Sequence, residues 1–391
     1  MRAEPVSGIQ PNVLQWARES ANISLADVAK KLKKTLADVE AWEKGDSAPS
    51  YAQLEKLAYS IYKRPLAIFF LPKPPDELPT KAEFRSLPEY DLSRLDRDTV
   101  FLIRKARAFQ IALVELFGER SPAERPLWRS VRLLPSASLV EQAAKVRQEL
   151  GISLDQQKAW ESDDDALKQW RRAIELRGVF VFKHTFKQRE ISGFCLNHLE
   201  FPVIMVNNST TKTRQIFSLL HELAHILANR SGISTFDETR IEELPPPDRA
   251  IERFCNAIAA EILVPLSDFK TQTNLWTVRP EAAPDESFAA LAQRYHVSRA
   301  VVLRRFLDEQ QVSEAFYRSK VRAWDSQKAA EGSGGNYYNT QGAYISERFL
   351  KEVFSRYSRR QLSKEDAADL IGVAPKSIAR FEDIMLRGVG T

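Results

Sequence analysis

Apolar residues recur three or four positions apart from residue 13 to residue 62, and this spacing predicts a run of short helices. The breaks fall at Asn22-Ile23-Ser24 and Gly45-Asp46. Ser24 stands as an N-cap for Leu25 to Leu32, with Asp27 three residues on in a capping-box position. Thr35 would cap a second helix running through Trp42, which Gly45 ends in a left-handed conformation. Pro72, Pro74, Pro75 and Pro79 then punctuate a linker. Helical spacing returns over 96–118, 137–150 and 163–177, where charged and apolar faces alternate.

The period then changes. GVFVF (178–182), ISGFCL (191–196) and FPVIMVN (201–207) are β-branched and aromatic runs separated by polar turns, and they predict a small sheet. From Arg214 to Ala228 the helical period is back, and Ile251 to Leu263 is a second strongly apolar helix that stops near Pro265. Helices resume from about Ser287; EGSGGN (331–336) reads as a flexible link, and a last helical unit runs from Ser346 to Leu386.

Composition narrows this only a little. The apolar share of 43% allows a sizeable core, and no run approaches the roughly 18 apolar residues of a membrane span. The N-terminus lacks the basic, apolar and small-residue succession of a signal peptide. The two cysteines, Cys195 and Cys255, lie far apart in sequence and form no metal-type pair, so a reducing, cytoplasmic setting is expected. A net charge of +5, from 57 basic and 52 acidic side chains, implies nucleic acid only where it is locally concentrated.

The chemistry concentrates in IFSLLHELAHIL (216–227). Positions i and i+4 share a helix face, so His221 and His225 can reach one metal ion. Glu222 is rotated by about 100° from His221 and can border a water at the metal as general base without being a ligand. This is the division of labour of an open catalytic Zn2+ site, which needs one more protein ligand. Ile216, Leu219, Leu220, Leu223, Ile226 and Leu227 would bury the helix, where two histidines and a glutamate are costly without a purpose. The third ligand must come from elsewhere, because the metzincin extension and the thermolysin-type continuation are both absent: Ala228 stands where the former has glycine. The helix at 251–265 offers Glu252 and Glu261, the second also readable as a group behind the ligands, and Asn256 as a residue that orients them.

FSLLHELAHIL followed by ERFCNAIAAEILVP, with RGVFVF, ISGFCL and FPVIMVNNSTTKTRQIF ahead of them, resembles the ImmA/IrrE family of bacterial and phage metallopeptidases over about residues 175 to 312. The resemblance implies His221 and His225 as zinc ligands, Glu222 as general base and Glu252 as third ligand of a gluzincin-like metalloendopeptidase. Ala224 departs from the glycine common in that family. Many members cleave a helix-turn-helix repressor, so a repressor or antitoxin-like protein is the implied partner. FPVIMVN, if it were a sheet edge, could hold an extended peptide by strand addition; His198 is a candidate for the oxyanion, and otherwise a turn residue.

Residues 24–61 resemble the helix-turn-helix module of phage repressors (XRE-like), through Leu25, Val28, Ala29, Leu32, Val39, Trp42, Leu54 and Leu57. Its recognition helix would be TLADVEAWEKG (35–45), with Asp38, Glu40 and Glu43 where major-groove reading favours Arg, Lys, Asn and Gln. Lys33, Lys34 and Lys44 remain as DNA-contact candidates. Segments 287–307, with Arg294, Arg299, Arg304 and Arg305, and 363–382 have a similar rhythm and read as small bundles with solvated basic faces. His296 reads there as a surface or turn residue.

The expected fold is α+β: a mostly helical, multi-domain chain with a small sheet packed on the HExxH helix. The expected divisions are a helix-turn-helix domain (1–75), a helical linker region (76–177), a zinc peptidase core (178–270), a helix-turn-helix-like subdomain (271–330) and a helical tail (336–391). Three functions fit: a regulatory zinc endopeptidase acting on a repressor or antitoxin-like protein, with DNA as a further partner and no membrane; a transcription regulator whose peptidase fold only senses a ligand; and a toxin or phage-defence component.

Overall fold

The structure is a computed structural model that describes residues 4–75, 95–188, 190–235, 238–328, 344–379 and Glu382. Pro79, the EGSGGN link and the end of the last helical unit at Leu386 lie outside these residues. The chain forms two compact units, one of residues 1–107 and 186–189, the other of 108–185 and 190–391.

The first unit carries α1 (Pro11–Ser20), α2 (Leu25–Leu32), α3 (Leu36–Lys44) and α4 (Tyr51–Glu55), the last continuing as a π-helical stretch Lys56–Tyr62. The apolar positions that set the helical period, among them Val13, Val28, Val39, Trp42, Leu54 and Leu57, form one core. Ser24 Oγ accepts from the Asp27 N–H, and Thr35 and Asp38 complete a reciprocal capping box. Gly45 closes α3 at φ 85°, a conformation that glycine adopts without a Cβ clash. Arg18 on α1 donates two hydrogen bonds to Glu43 on α3, at 2.7 and 2.9 Å, so one acid of the expected recognition helix is a structural cross-link.

The second unit opens within α5 (Arg97–Phe117) and continues with α6 (Leu127–Ser130), α7 (Leu139–Leu150), α8 (Leu154–Lys158) and α9 (Asp163–Leu176). These helices supply Leu127, Val146, Trp170 and Ile174 to the core that also holds Val181 and Ile204 of the sheet. From residue 108 onward, the stretch expected as a linker is therefore part of a packed body, because its apolar stripes are covered by strands and helices far away in sequence.

The sheet has the order β1-β3-β2-β4, with β1 (Phe180–His184) parallel to β3 (Val203–Asn207), and β2 (Ile191–Leu196) antiparallel to β3 and to β4 (Gly232–Thr235). β1 starts two residues later than expected because Gly178, at φ 91°, and the bond from Val179 N–H to Ile174 O still belong to the end of α9. β3 lies inside the sheet, so FPVIMVN is not an edge and cannot take a peptide by strand addition: its backbone groups are paired on both sides. β1 and β4 are the edges. On β1 the Val181 N–H donates to Glu175 Oε1 and its carbonyl accepts from Arg171, which leaves β4 as the less covered edge.

α10 (Lys212–Leu227) packs on β2 and β3 and against α12 (Pro246–Leu263), with the short α11 (Glu238–Glu243) between β4 and α12 in sequence. Six aliphatic side chains of α10 are at most 2% exposed. At about 1.5–3 kcal/mol each, their burial holds the helix in place although it also buries His221, Glu222 and His225. The C-terminal carbonyls of α12 are satisfied from three other helices: Arg147 reaches Ile262 O, Gln157 reaches Leu263 O and Arg305 reaches Val264 O. Then follow α13 (Leu266–Thr273), α14 (Asp285–Tyr295), α15 (Arg299–Asp308), α16 (Glu314–Lys328), α17 (Glu347–Ser358) and α18 (Lys364–Ile371).

Two expectations for this part change. Arg305 is not solvated; it is 4% exposed and paired to Glu261. His296 does occupy the α14–α15 turn, at φ 54°, but it is buried and bonded to Asp163. The basic face is also largely spent, with Arg304 on Asp308 and Arg299 over the Trp324 ring. In the tail, Glu175 accepts from the Glu347 and Arg348 N–H groups and so caps α17, while Phe349 packs on Phe109 and Phe182.

Candidate metal centre

One helical turn separates His221 from His225, and both rings project from α10 toward α12, where Glu252 rises to meet them. His221 Nε2 lies 3.0 Å from His225 Nε2, Glu252 Oε2 lies 3.2 Å from His221 Nε2, and Glu252 Oε1 lies 3.1 Å from His225 Nε2. All three residues are buried. Metal–ligand bonds of 2.0–2.1 Å at tetrahedral angles separate ligand atoms by about 3.3 Å, so these spacings suit one small cation bound through two nitrogens and a carboxylate. Among the described residues this is the one His/Cys/Asp/Glu group whose donor atoms converge in this way.

The surroundings orient the donors. His221 Nδ1 sits 2.8 Å from Asn256 Oδ1; with the proton on Nδ1 the ring donates there and keeps Nε2 free as a donor atom for metal. Asn256 thus stands one helical turn after Glu252, behind the first histidine. His225 is held differently. A Cβ on Gly232 would come within 2.9 Å of its Cγ, so β4 passes hard against the ring, and Cys255 lies on it from α12. Burial by itself would lower the His225 pKa, but Cys255 and Glu252 outweigh it and raise it well above its ordinary value. Burial likewise acts to raise Glu252, yet His225 and His221 hold its carboxyl far below the usual range. The Glu252 carboxylate is therefore ionised, as a ligand must be.

Glu222 is fully buried, and neither of its oxygens has a hydrogen-bond partner among the described residues. Its side chain lies over Gly193, where a Cβ would be 3.5 Å from Glu222 Oε1. Ser234 and Cys195 flank it without a well-formed hydrogen bond. Burial raises its pKa, against the pull of His225 and His221. A buried carboxylate left unpaired beside two imidazoles is expensive in a resting protein and fits a group kept for proton transfer.

Some of these neighbours escaped the sequence reading. Gly193 pairs with Ser234, and Cys195 with Gly232, across β2 and β4. Together they form a patch of small side chains that lets α10 lie close to the sheet. The alternation Gly193, Cys195 in ISGFCL was a visible signal; β4 itself, four residues long, was not. Glu261, expected behind the ligands, is elsewhere: one oxygen accepts from Arg305 and the other from the Leu266 N–H. His198 Nδ1 accepts from the Glu200 and Phe201 N–H groups, the place of a turn residue. Lys33, Lys34 and Lys44 are exposed at the two ends of α3, Lys44 beside Glu40 at 3.6 Å.

Two packed helices bring two imidazoles and a carboxylate together under a small mixed sheet, a His–His–Glu cluster that could hold a metal ion. Comparison with known families matches two segments: residues 174–307 match the peptidase family M78 model, described as the IrrE N-terminal-like domain, and residues 14–58 match a helix-turn-helix model. The chain thus carries an IrrE-type peptidase domain behind an XRE-like helix-turn-helix domain, as the resemblance implied. The first match spans β1 to α15 and includes all three converging residues and Glu222. No curated protein matches the chain. No helix among the described residues is long and apolar enough to cross a membrane.

Proposed function

We propose that the protein is a zinc-dependent endopeptidase that cuts a helix-turn-helix repressor or antitoxin-like protein. The observation that carries the reading is the meeting of His221, His225 and Glu252 beside a buried, unpaired Glu222. His221, His225 and Glu252 would hold the metal. Bound zinc supplies a Lewis acid for the scissile carbonyl and lowers the pKa of water at the site. Everything else falls to the chain. Asn256 keeps His221 in the tautomer that presents Nε2, and the strand at Gly232 fixes the His225 ring. Glu222 takes a proton from the attacking water and returns it to the leaving amine, a role for which a pKa raised by burial is suited. The edge of β4, which runs beside the His225 ring, offers backbone groups to an extended peptide. Strand addition there would bring a substrate chain to the centre without demanding one side-chain sequence.

The test compares wild type with Glu222→Gln and His221→Ala for metal content and for cleavage of small helix-turn-helix proteins encoded beside the gene. The reading requires about one zinc per chain in wild type and in Glu222→Gln, none in His221→Ala, and cutting by wild type alone. A wild-type protein that cannot be loaded with metal would remove the central claim. Loading without cutting by any partner would turn the centre into a sensor.

A further inference from the structure

The helix-turn-helix domain has a basic cluster and a recognition helix that do not match each other. Lys30, Lys31, Lys33 and Lys34 lie within five positions at the end of α2 and in the turn. All four are exposed, and none makes an ion pair among the described residues. At its C-terminal end α3 exposes Lys44 and part of Glu40. Its first turn and the position one turn on, where a recognition helix meets base edges, present Leu36, 47% exposed, Ala37 and the half-buried Ala41. None of these last three side chains carries a hydrogen-bond donor or acceptor. The polar residues of α3 are already engaged: Asp38 caps Thr35, Glu43 holds Arg18, and Glu40 faces Lys44.

Reading bases in the major groove needs side chains that match base-edge donors and acceptors, and the first turn of the recognition helix normally supplies them. Here that turn offers Leu36 and Ala37, which can at most touch a thymine methyl. Phosphate contact needs only free cations at the groove edge, and Lys33 and Lys34 immediately precede that turn. We infer that the helix-turn-helix domain binds duplex DNA through its phosphates, by Lys30, Lys31, Lys33 and Lys34, without reading sequence. A duplex fits better than an acidic protein because the lysines border the helix that this fold lays in the groove. The domain then concentrates the protein on DNA, where a DNA-bound partner is found, and leaves selection to other parts of the chain. This inference rests on the first unit and stands or falls apart from the metal chemistry.

The experiment measures fluorescence anisotropy of the full-length protein with three unrelated duplexes of about 25 base pairs, from 50 to 200 mM salt. Four phosphate contacts give a slope near −3.6 in log K against log salt, or a roughly 150-fold loss over that range. The three duplexes are expected to bind within about threefold of one another. The Lys30/Lys31/Lys33/Lys34→Gln variant, with an unchanged circular dichroism melt, should lose this binding, while Leu36→Gln should keep it. Four results would overturn the inference: no duplex binding at 50 mM salt, a preference above about tenfold for one sequence, wild-type binding by the quadruple variant, or capture of polyglutamate in place of DNA.

Discussion

α3 and α10 are both helices from which family resemblance expects function, and they spend their polar residues in opposite ways. On α3 the acids serve the fold: Asp38 closes a capping box and Glu43 ties α1 to α3 through Arg18. What its first turn leaves outward is apolar, Leu36 and Ala37, and the exposed Lys44 stands at its far end beside Glu40. On α10 the fold is carried by aliphatic residues on nearly every side, and the three polar groups in the middle are left to converge with Glu252 or, for Glu222, to stay unpaired. A helix held by its apolar surface can hold chemically active groups in its interior-facing turns. A small domain with one thin core draws on its polar side chains for stability, and those side chains are then no longer free to recognise anything.

Four substitutions probe this contrast. The largest effect is expected from Glu222→Gln, which removes only the proton acceptor: metal content should be unchanged, and cleavage should fall by about 10³-fold or more in a single-turnover assay. Gly232→Ala should act on the centre through packing. Its new Cβ would meet the His225 ring at 2.9 Å, so zinc affinity read with a competing chelator should drop by about 10- to 100-fold. Equal affinity in that variant would mean that β4 gives way and does not position the ring.

Glu43→Gln is the counterpart on α3. The pair with Arg18 is largely buried, at 13% and 10% side-chain exposure, so losing it should destabilise the first unit by about 1–3 kcal/mol in a denaturant melt, with zinc content unaltered. The smallest effect is expected at Lys183 on β1, whose pKa burial pushes down to about 7, with Arg171 and Lys212 adding to the shift. A depressed folded pKa means that the native state binds fewer protons than the unfolded chain between about pH 7 and 10.5. The penalty for charging Lys183 is therefore full below pH 7 and fades as pH rises to 10.5. Lys183→Met should raise the melting temperature at pH 6 by about 2–4 °C and bring little gain at pH 10.

Much of the fold was legible because it is written in local periods. The helices expected at 96–118, 137–150 and 163–177 form at Arg97–Phe117, Leu139–Leu150 and Asp163–Leu176, and the strand expected at 191–196 is β2. At the centre, the His-x-x-x-His spacing on one helix was enough to pair His221 with His225. The choice of Glu252 over Glu261 was not in that spacing; it came from resemblance, and the structure places Glu252 against both imidazoles. Glu261 sits about two and a half turns along the same helix, and so on its opposite face, and what holds it there is Arg305, 44 residues away.

By itself, then, the sequence determined the longer helices but not the short α6, α8, α11 and α13, three of the four strands, the paired histidines with their glutamate, and the caps at Ser24 and Thr35. Each of these depends on residues within one or two turns of each other, so spacing alone encodes it. Only the tertiary structure decided that β3 is interior, that β4 exists and presses on His225, that Gly193 and Ser234 flank Glu222, and that Glu43 belongs to Arg18. Those facts rest on strand order, cross-strand register and contacts between distant segments. They form only when apolar burial brings those segments together, and a linear pattern carries no record of which partner each one meets.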